Sequence, residues 1–249
     1  MSNFQLYSQY YDALYKEKNY GQETRYVSNL IKSLHPSAKK LLELGCGTGK
    51  HAEILCQQGY SVTGIERSED MVAVARKKNV NGFYPQLGDI TSYNLDEKFD
   101  VALSLFHVVS YLTTNSMLVS CFETTCRHLI DGGLFLFDVW YSPAVYFQKP
   151  ETRIKRLSTE QATITRLAEP LMHYNRNVVD VNYEIIVKNK NTGDTEVITE
   201  VHPMRHFSIP EIELLANKTG FSLIRAEEFG TGEKPGPNTW GVCFVLQKN

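Results

Sequence analysis

The stretch Glu43-Leu44-Gly45-Cys46-Gly47-Thr48-Gly49 decides the fold. It follows Lys39-Lys40-Leu41-Leu42, which reads as a short buried strand, and precedes a helical segment, Lys50 to Gln58. Strand, glycine-rich turn and helix in that order make a place where backbone can approach a ligand closely. The glycine spacing is E-x-G-x-G-x-G. A dinucleotide fingerprint, G-x-G-x-x-G, would put glycine at position 50, where Lys50 stands.

Further along, Ser61-Val62-Thr63-Gly64-Ile65-Glu66 reads as a second strand ending in an acid. A carboxylate there can accept hydrogen bonds from ribose hydroxyls, but an acid about 20 residues past the first glycine also fits a nicotinamide dinucleotide. Gly82-Phe83-Tyr84 opens a third strand and Gly88-Asp89-Ile90 closes it. The fourth is Phe99 to Ser104; Leu105, Phe106 and Tyr111 follow at the carboxyl end of the sheet, where open α/β folds bind ligands. Helices are predicted over 21–34, with Tyr26, Val27, Leu30, Ile31 and Leu34 as the apolar stripe, and after the N-cap Ser68. Another covers 115–129, ended by Asp131-Gly132-Gly133. Leu134 to Trp140 is nearly all apolar, as in a strand buried on both faces. Ser208-Ile209-Pro210-Glu211 reads as a capping box opening a helix that ends at Gly220. Phe221–Glu227 and Trp240–Leu246 complete seven strands.

The 249 residues suffice for one α/β domain with an insertion. Hydrophobic content of 42% and charged content of 22% are those of a soluble globular chain. A net charge of −2 argues against bulk attraction to nucleic acid. No apolar run reaches the ~18 residues of a membrane span. The start, Met1-Ser2-Asn3-Phe4-Gln5, lacks the basic and apolar regions of a secretory signal, so a cytoplasmic location is expected. Cys46, Cys56, Cys121, Cys126 and Cys243 have no disulfide or metal spacing and read as reduced core residues; no metal is expected.

The segment between Ser142 and Phe207 breaks the alternating β/α rhythm. Val179, Val181, Tyr183, Ile185 and Val187 alternate with polar residues, Asn191-Thr192-Gly193-Asp194 is a hairpin turn, and Val197 and Thr199 begin the return. Residues 1–142 and 207–249 are therefore expected to form one domain. Residues 143–206 form an antiparallel β insertion that either caps the carboxyl end of the sheet or serves as a decorative or dimerising element.

The glycine turn, with Glu66 and Asp89 at the ends of strands two and three, resembles class I S-adenosylmethionine (SAM) methyltransferases from about Tyr10 to Asp138 and again after Phe207. The resemblance implies an α/β, Rossmann-like, seven-stranded, mostly parallel sheet, with the antiparallel insertion between strand five and the last helix. It implies SAM as cofactor and S-adenosylhomocysteine as product. Glu43, Gly45, Cys46, Gly47, Gly49, Glu66, Arg67, Met71, Asp89, Ile90 and Leu105 would then contact the cofactor, with Asp89 facing the adenine amino group.

Narrower stretches resemble bacterial nucleotide-sugar N-methyltransferases, which methylate an amino group on a deoxysugar. They are Tyr11-Asp12-Ala13-Leu14-Tyr15, Asn19-Tyr20-Gly21-Gln22-Glu23, Ser104 to Leu112, and Asp138-Val139-Trp140-Tyr141-Ser142-Pro143. Carried over by position, Tyr11 and Tyr20 would close over SAM. Tyr111 would sit beside the acceptor nitrogen, and Tyr15, Trp140, Tyr141 and Arg176 would line the acceptor site. The family pattern has an arginine near the start of the last strand; Trp240 stands there and could stack on a base or sugar. The basic run Lys149, Arg153, Lys155 and Arg156 is either a phosphate contact or a solvated face. His107 and Asp138 are candidate proton acceptors, or structural hydrogen-bonding groups. Alignment can supply ~7–11 kcal/mol and general acid–base help ~10²–10⁴-fold, so positioning should dominate. The expected partner is a small-molecule acceptor, a nucleotide sugar by resemblance, with no nucleic acid or membrane and with a monomer or homodimer. O-methylation of a small metabolite or glycan, SAM binding without turnover, and an NAD-dependent oxidoreductase are the competing readings; Lys50 and Gly88-Asp89 speak against the last.

Overall fold

The structure is a computed structural model and describes residues 18–249. Five strands form a parallel array: β1 (Lys40–Leu44), β2 (Ser61–Glu66), β3 (Phe83–Leu87), β4 (Phe99–Ser104) and β5 (Leu129–Tyr141). They lie in the order β3-β2-β1-β4-β5. The chain moves outward from β1 to β3 and then returns to β4 on the other flank of β1 (Leu41 pairs with both Val62 and Val101). Beyond the carboxyl ends of β1 and β4 the connections leave in opposite directions, which opens a crevice. The glycine turn and the segment after Ser104 both stand there. The last two strands, β10 (Phe221–Glu228) and β11 (Gly241–Lys248), add antiparallel on the far side of β5.

Alternation along β5 explains its apolar run from Leu134 to Phe137. Phe135, Phe137 and Val139 face one layer, where Phe122 of the helix Asn115–His128 meets Phe135 and Phe137 edge-on at centroid distances of 5.3 and 5.4 Å. Leu134 and Leu136 face the other, with Val27 and Ile31 of α1 (Tyr20–Leu34) and Leu55 of α2 (Lys50–Gln57). Ser68 caps α3 (Glu69–Lys77) by accepting from Met71 N at 3.3 Å.

Three sequence expectations change. Asp131-Gly132-Gly133 is not a stop between helix and strand but lies inside β5, which starts at Leu129 and breaks register with β4 between Phe99 and Val101. Ser208 makes no side-chain cap to the helix Ile209–Lys218; Glu211 is engaged by Arg205, whose Nη2 donates to it at 2.6 Å, so the capping box is not formed. The insertion has four strands rather than the one hairpin read from the sequence. β6 (Arg153–Ser158) and β7 (Ala162–His173) precede β8 (Val178–Asn189) and β9 (Thr195–Phe207). Arginine, lysine and proline inside β6 and β7 had hidden their alternation.

These four strands join the main sheet. β11 pairs one edge of β5 as far as Trp140, while β4 leaves the other edge at Phe137. His206 and Phe207 of β9 pair in parallel with Trp140 and Tyr141 where β4 has ended. His206 Nδ1 lies 2.8 Å from Ser142 Oγ at this junction. Among the described residues, no helix is long and apolar enough to cross a membrane.

Gly64 on β2 sets how closely the glycine turn can lie on the sheet. A Cβ at that position would stand 2.6 Å from Cys46 Sγ and 2.9 Å from Phe83 Cε2. Gly64→Ala should therefore cost ~1–3 kcal/mol by overpacking. Urea unfolding should show a lower midpoint at unchanged m; an unmoved midpoint would contradict this account.

Candidate active site

The crevice is a cavity of about 440 Å³, within the range of small-molecule sites. Its floor is the glycine turn. Gly45 and Cys46 donate backbone N–H to Ile65 O (2.8 and 3.2 Å), which lays the turn across the end of β2. Gly45 has φ +72°, and a Cβ on it would meet Val108 Cγ1 at 2.6 Å. Gly47 also has positive φ (+54°), yet a Cβ there would meet nothing nearer than Met71 Sδ at 3.8 Å, because that face opens into the cavity.

Glu66 holds this floor in place. Its Oε2 accepts from Gly47 N at 3.0 Å and its Oε1 from Ser68 N at 2.8 Å. The carboxylate thus ties the turn to the start of α3 and keeps further lone pairs for a ligand hydroxyl. Arg67, Met71, Asp89 and Ile90 line the same end. Asp89 uses Oδ1 for the N–H (2.8 Å) and hydroxyl (2.6 Å) of Thr91. Tyr20, at the start of α1, closes one side, its ring 5.0 Å from that of His51. Lys18 pairs with Glu23 and lies 4.0 Å from the ring centroid of Phe106.

The opposite wall comes from the segment after β4. Phe106 and His107 are consecutive non-glycine residues at φ +67° and +62°. Such backbone is strained and persists only where surroundings over-determine it. The determinant is Asp138 of β5. Its Oδ2 accepts from His107 N at 3.2 Å and stands 2.7 Å from His107 Nδ1, close but oblique to the ring N–H. Burial would raise the Asp138 pKa; the charge of His107 and its contacts outweigh that and hold the carboxyl below its usual range. Beyond this turn, the 3₁₀ segment Val108–Tyr111 carries Tyr111 into the cavity.

The antiparallel sheet supplies the roof. Val181, Tyr183, His202 and Met204 share one face and line the cavity with Trp140 and Trp240. The two indoles meet edge to face at 5.3 Å. Tyr111 Oη is 2.8 Å from His202 Nδ1, and His202 Nε2 is 2.9 Å from Glu200 Oε2. Arg153, at the start of β6, reaches the same cavity.

Of the residues expected at the site, Tyr20, Gly45, Cys46, Gly47, Glu66, Arg67, Met71, Asp89, Ile90, Leu105, His107, Tyr111, Trp140 and Trp240 meet there. Tyr11 and Tyr15 lie outside the described residues. Five others do not line the cavity. Glu43 and Gly49 sit behind the turn, Gly49 because a Cβ there would strike Phe83 Cε1 at 2.4 Å. Asp138 is 1% exposed behind His107, which fits the structural one of the two roles that its sequence position left open. Tyr141 faces the core. Arg176 is exposed in the 3₁₀ turn Tyr174–Arg176 between β7 and β8. Of the basic run, Arg153 alone lines the cavity. His202, Glu200 and Met204 were not singled out from the sequence, although their i, i+2 spacing places them on one strand face.

Residues 41–133 match the family model of a methyltransferase domain. The chain is 28% identical over 197 residues to the dTDP-3-amino-3,4,6-trideoxy-alpha-D-glucopyranose N,N-dimethyltransferase of Streptomyces venezuelae, covering 77% of this chain and 82% of that one. It is 25% identical to the dTDP-3-amino-3,6-dideoxy-alpha-D-glucopyranose N,N-dimethyltransferase of Streptomyces fradiae, over 93% and 86% of the two chains. The crystal structure of Streptomyces venezuelae DesVI superposes with a TM-score of 0.82 at 24% identity, covering 98% of both chains. The fold is that of class I methyltransferases, and the chain is a SAM-dependent methyltransferase by class. Within that class it resembles the dTDP-amino-sugar N,N-dimethyltransferases.

Glu43 gives a test of the turn's foundation. Burial raises its pKa to about 8, the Glu66 carboxylate adds to the rise, and a hydrogen bond from Ala52 opposes it. Its unfolded value is near 4.5, so between pH ~4.5 and ~8 the folded chain holds a proton that the unfolded chain has released. This group's contribution therefore falls as pH rises through that window. Glu43→Gln should gain stability relative to the wild type as pH increases from 5 to 8, measured by urea unfolding. A difference independent of pH would show that Glu43 is ionised in the fold.

Proposed function

We propose that this enzyme transfers a methyl group from SAM to the amino nitrogen of a nucleotide-linked amino sugar in the cytoplasm, and that residues 143–206 form the acceptor cap. One observation carries the reading. The roof of the antiparallel sheet and the glycine turn face a single cavity, so cofactor and acceptor can meet there. The likeness to amino-sugar N,N-dimethyltransferases also runs through this sheet, since the match to the Streptomyces fradiae enzyme spans 93% of the chain.

The residues fit SAM. Gly47 leaves its face open for close approach, Glu66 has lone pairs left for ribose hydroxyls, and Asp89 and Ile90 stand at the rim expected for adenine. When bound, SAM supplies a sulfonium methyl with a neutral leaving group. The chain's own task is then alignment. Tyr111 orients the acceptor amine by accepting its N–H, and Trp140 and Trp240 offer flat faces to a sugar or base. Arg153 offers a cation to a diphosphate, replacing the arginine that Trp240 displaces from the last strand.

Three measurements test the assignment. Glu66→Gln should weaken SAM binding by ~1.5–3 kcal/mol, as for a hydrogen bond to a charged group; unchanged affinity by calorimetry in a folded variant would remove Glu66 from the cofactor site. Tyr111→Phe should slow turnover ~10–100-fold, within the range for general acid–base groups, with SAM affinity nearly intact. Mass spectrometry should find methyl transfer to a dTDP-3-amino-3,6-dideoxyhexose and none to its 3-hydroxy counterpart. The reverse preference would establish O-methylation instead.

A further inference from the structure

Tyr111 does not face the cavity alone. Behind it stand His202, whose side chain is 3% exposed, and Glu200 at 10%. The contacts are Tyr111 Oη to His202 Nδ1 at 2.8 Å and His202 Nε2 to Glu200 Oε2 at 2.9 Å. Strand pairing fixes the row, since Tyr183 is opposite Glu200 and Val181 is opposite His202. The Tyr183 ring meets His202 edge-on at 4.8 Å, and the Arg166 guanidinium lies 5.2 Å from the Tyr183 centroid.

This order of groups decides where the protons sit. An ionised Glu200 only accepts hydrogen bonds, so His202 Nε2 carries the hydrogen. In the neutral imidazole Nδ1 is then a lone pair, and Tyr111 must donate its O–H to it. With its O–H directed at His202, Tyr111 Oη can only accept from any other group in the cavity it lines. An amine that donates N–H to that oxygen is held in one orientation, with its own lone pair turned elsewhere in the cavity.

The relay also answers a proton requirement. A neutral primary amine that gains a methyl cation becomes a secondary ammonium. The same nitrogen cannot accept a second methyl until it loses a proton. Tyrosine by itself is a poor acceptor, because deprotonated tyrosine is reached only near pH 10 and the neutral phenol is weakly basic. Histidine, with a reference pKa near 6.5, is suited to the task. The proton balance closes in two concerted moves: the ammonium N–H passes its proton to Tyr111 Oη, and Tyr111 passes its own to His202 Nδ1. Tyr111 ends neutral and the secondary amine is free. His202 ends as an imidazolium whose Nε2–H is held by the Glu200 carboxylate.

We propose that Tyr111, His202 and Glu200 form a proton relay that deprotonates the methylated amine and so allows a second methyl to be placed on the same nitrogen. Tyr111 is the member that touches the acceptor; His202 and Glu200 are positioning residues acting through it. The proposal rests on the amine-acceptor reading above, and the test separates the two.

The first arm needs no acceptor. In protein labelled with ¹⁵N-histidine, with His202 assigned by its loss in His202→Gln, the ring should be the Nε2–H tautomer, and Tyr111→Phe should shift the Nδ1 resonance. A Nδ1–H tautomer overturns the relay whatever the substrate proves to be. The second arm follows mono- and dimethylated products from SAM and a dTDP-3-amino-3,6-dideoxyhexose. Glu200→Gln, nearly isosteric, should leave SAM affinity within about 3-fold and raise the ratio of mono- to dimethylated product by about 10-fold or more, the lower range of general-base losses; Glu200→Asp should restore part of the second methylation. A Glu200→Gln product ratio equal to that of the wild type overturns the relay, because a merely structural residue would slow both rounds alike. Wild-type protein that methylates no amine overturns the amine reading, while the tautomer still decides the relay.

Discussion

The carboxylate of Glu66 is the constraint on which the site depends. One side chain binds two backbone N–H groups from different elements, Gly47 in the turn and Ser68 at the start of α3. A buried carboxylate is costly unless its lone pairs are satisfied. Here the satisfaction is supplied by the turn, so the turn's conformation and the burial of the acid support each other. Gly64 beneath Cys46 and Val108 beside Gly45 leave the turn no slack. This end of the cavity is therefore held by contacts within the chain itself, and such preorganisation lowers the ordering cost of binding.

Asp138 plays the corresponding part at the other wall. It is buried in β5 and could not remain ionised there without the donors of His107. In return it holds Phe106 and His107 in left-handed backbone, the turn that carries the chain from β4 into the segment bearing Tyr111. Strain of this kind is found where geometry must be kept at a functional site. Its removal would be felt first at Tyr111 and only secondarily in the core.

The antiparallel sheet completes the enclosure because β9 takes over the edge of β5 that β4 leaves free. That continuity makes the roof an extension of the main sheet. Four strands with alternating faces then deliver Val181, Tyr183, His202 and Met204 to one side, while Ile154, Leu171, Val197 and Val201 on the other remain exposed. The division follows from the two-residue period of a strand.

Much of this was legible in the chain itself. The glycine turn, the acids ending β2 and β3, and the apolar runs of β1, β4 and β5 are local patterns, set by backbone freedom and by burial on two faces, and they determined the fold and the glycine-turn end of the cavity. The alternation Val179 to Val187 likewise marked a half-buried strand. What the sequence left open was pairing across long separations. Tyr111 and His202 are 91 positions apart, and His107 and Asp138 are 31. No local pattern relates such residues, because their contact depends on strand register and on which edge of β5 is vacant. For the same reason Asp138, an acid beside the cleft in sequence, proved to be a buried support. His202 and Glu200, two polar residues in an otherwise ordinary strand, proved to stand behind Tyr111 in the cavity wall. Period and propensity act over a few residues; only tertiary packing brings the polar groups of β4, β5 and β9 to a common point.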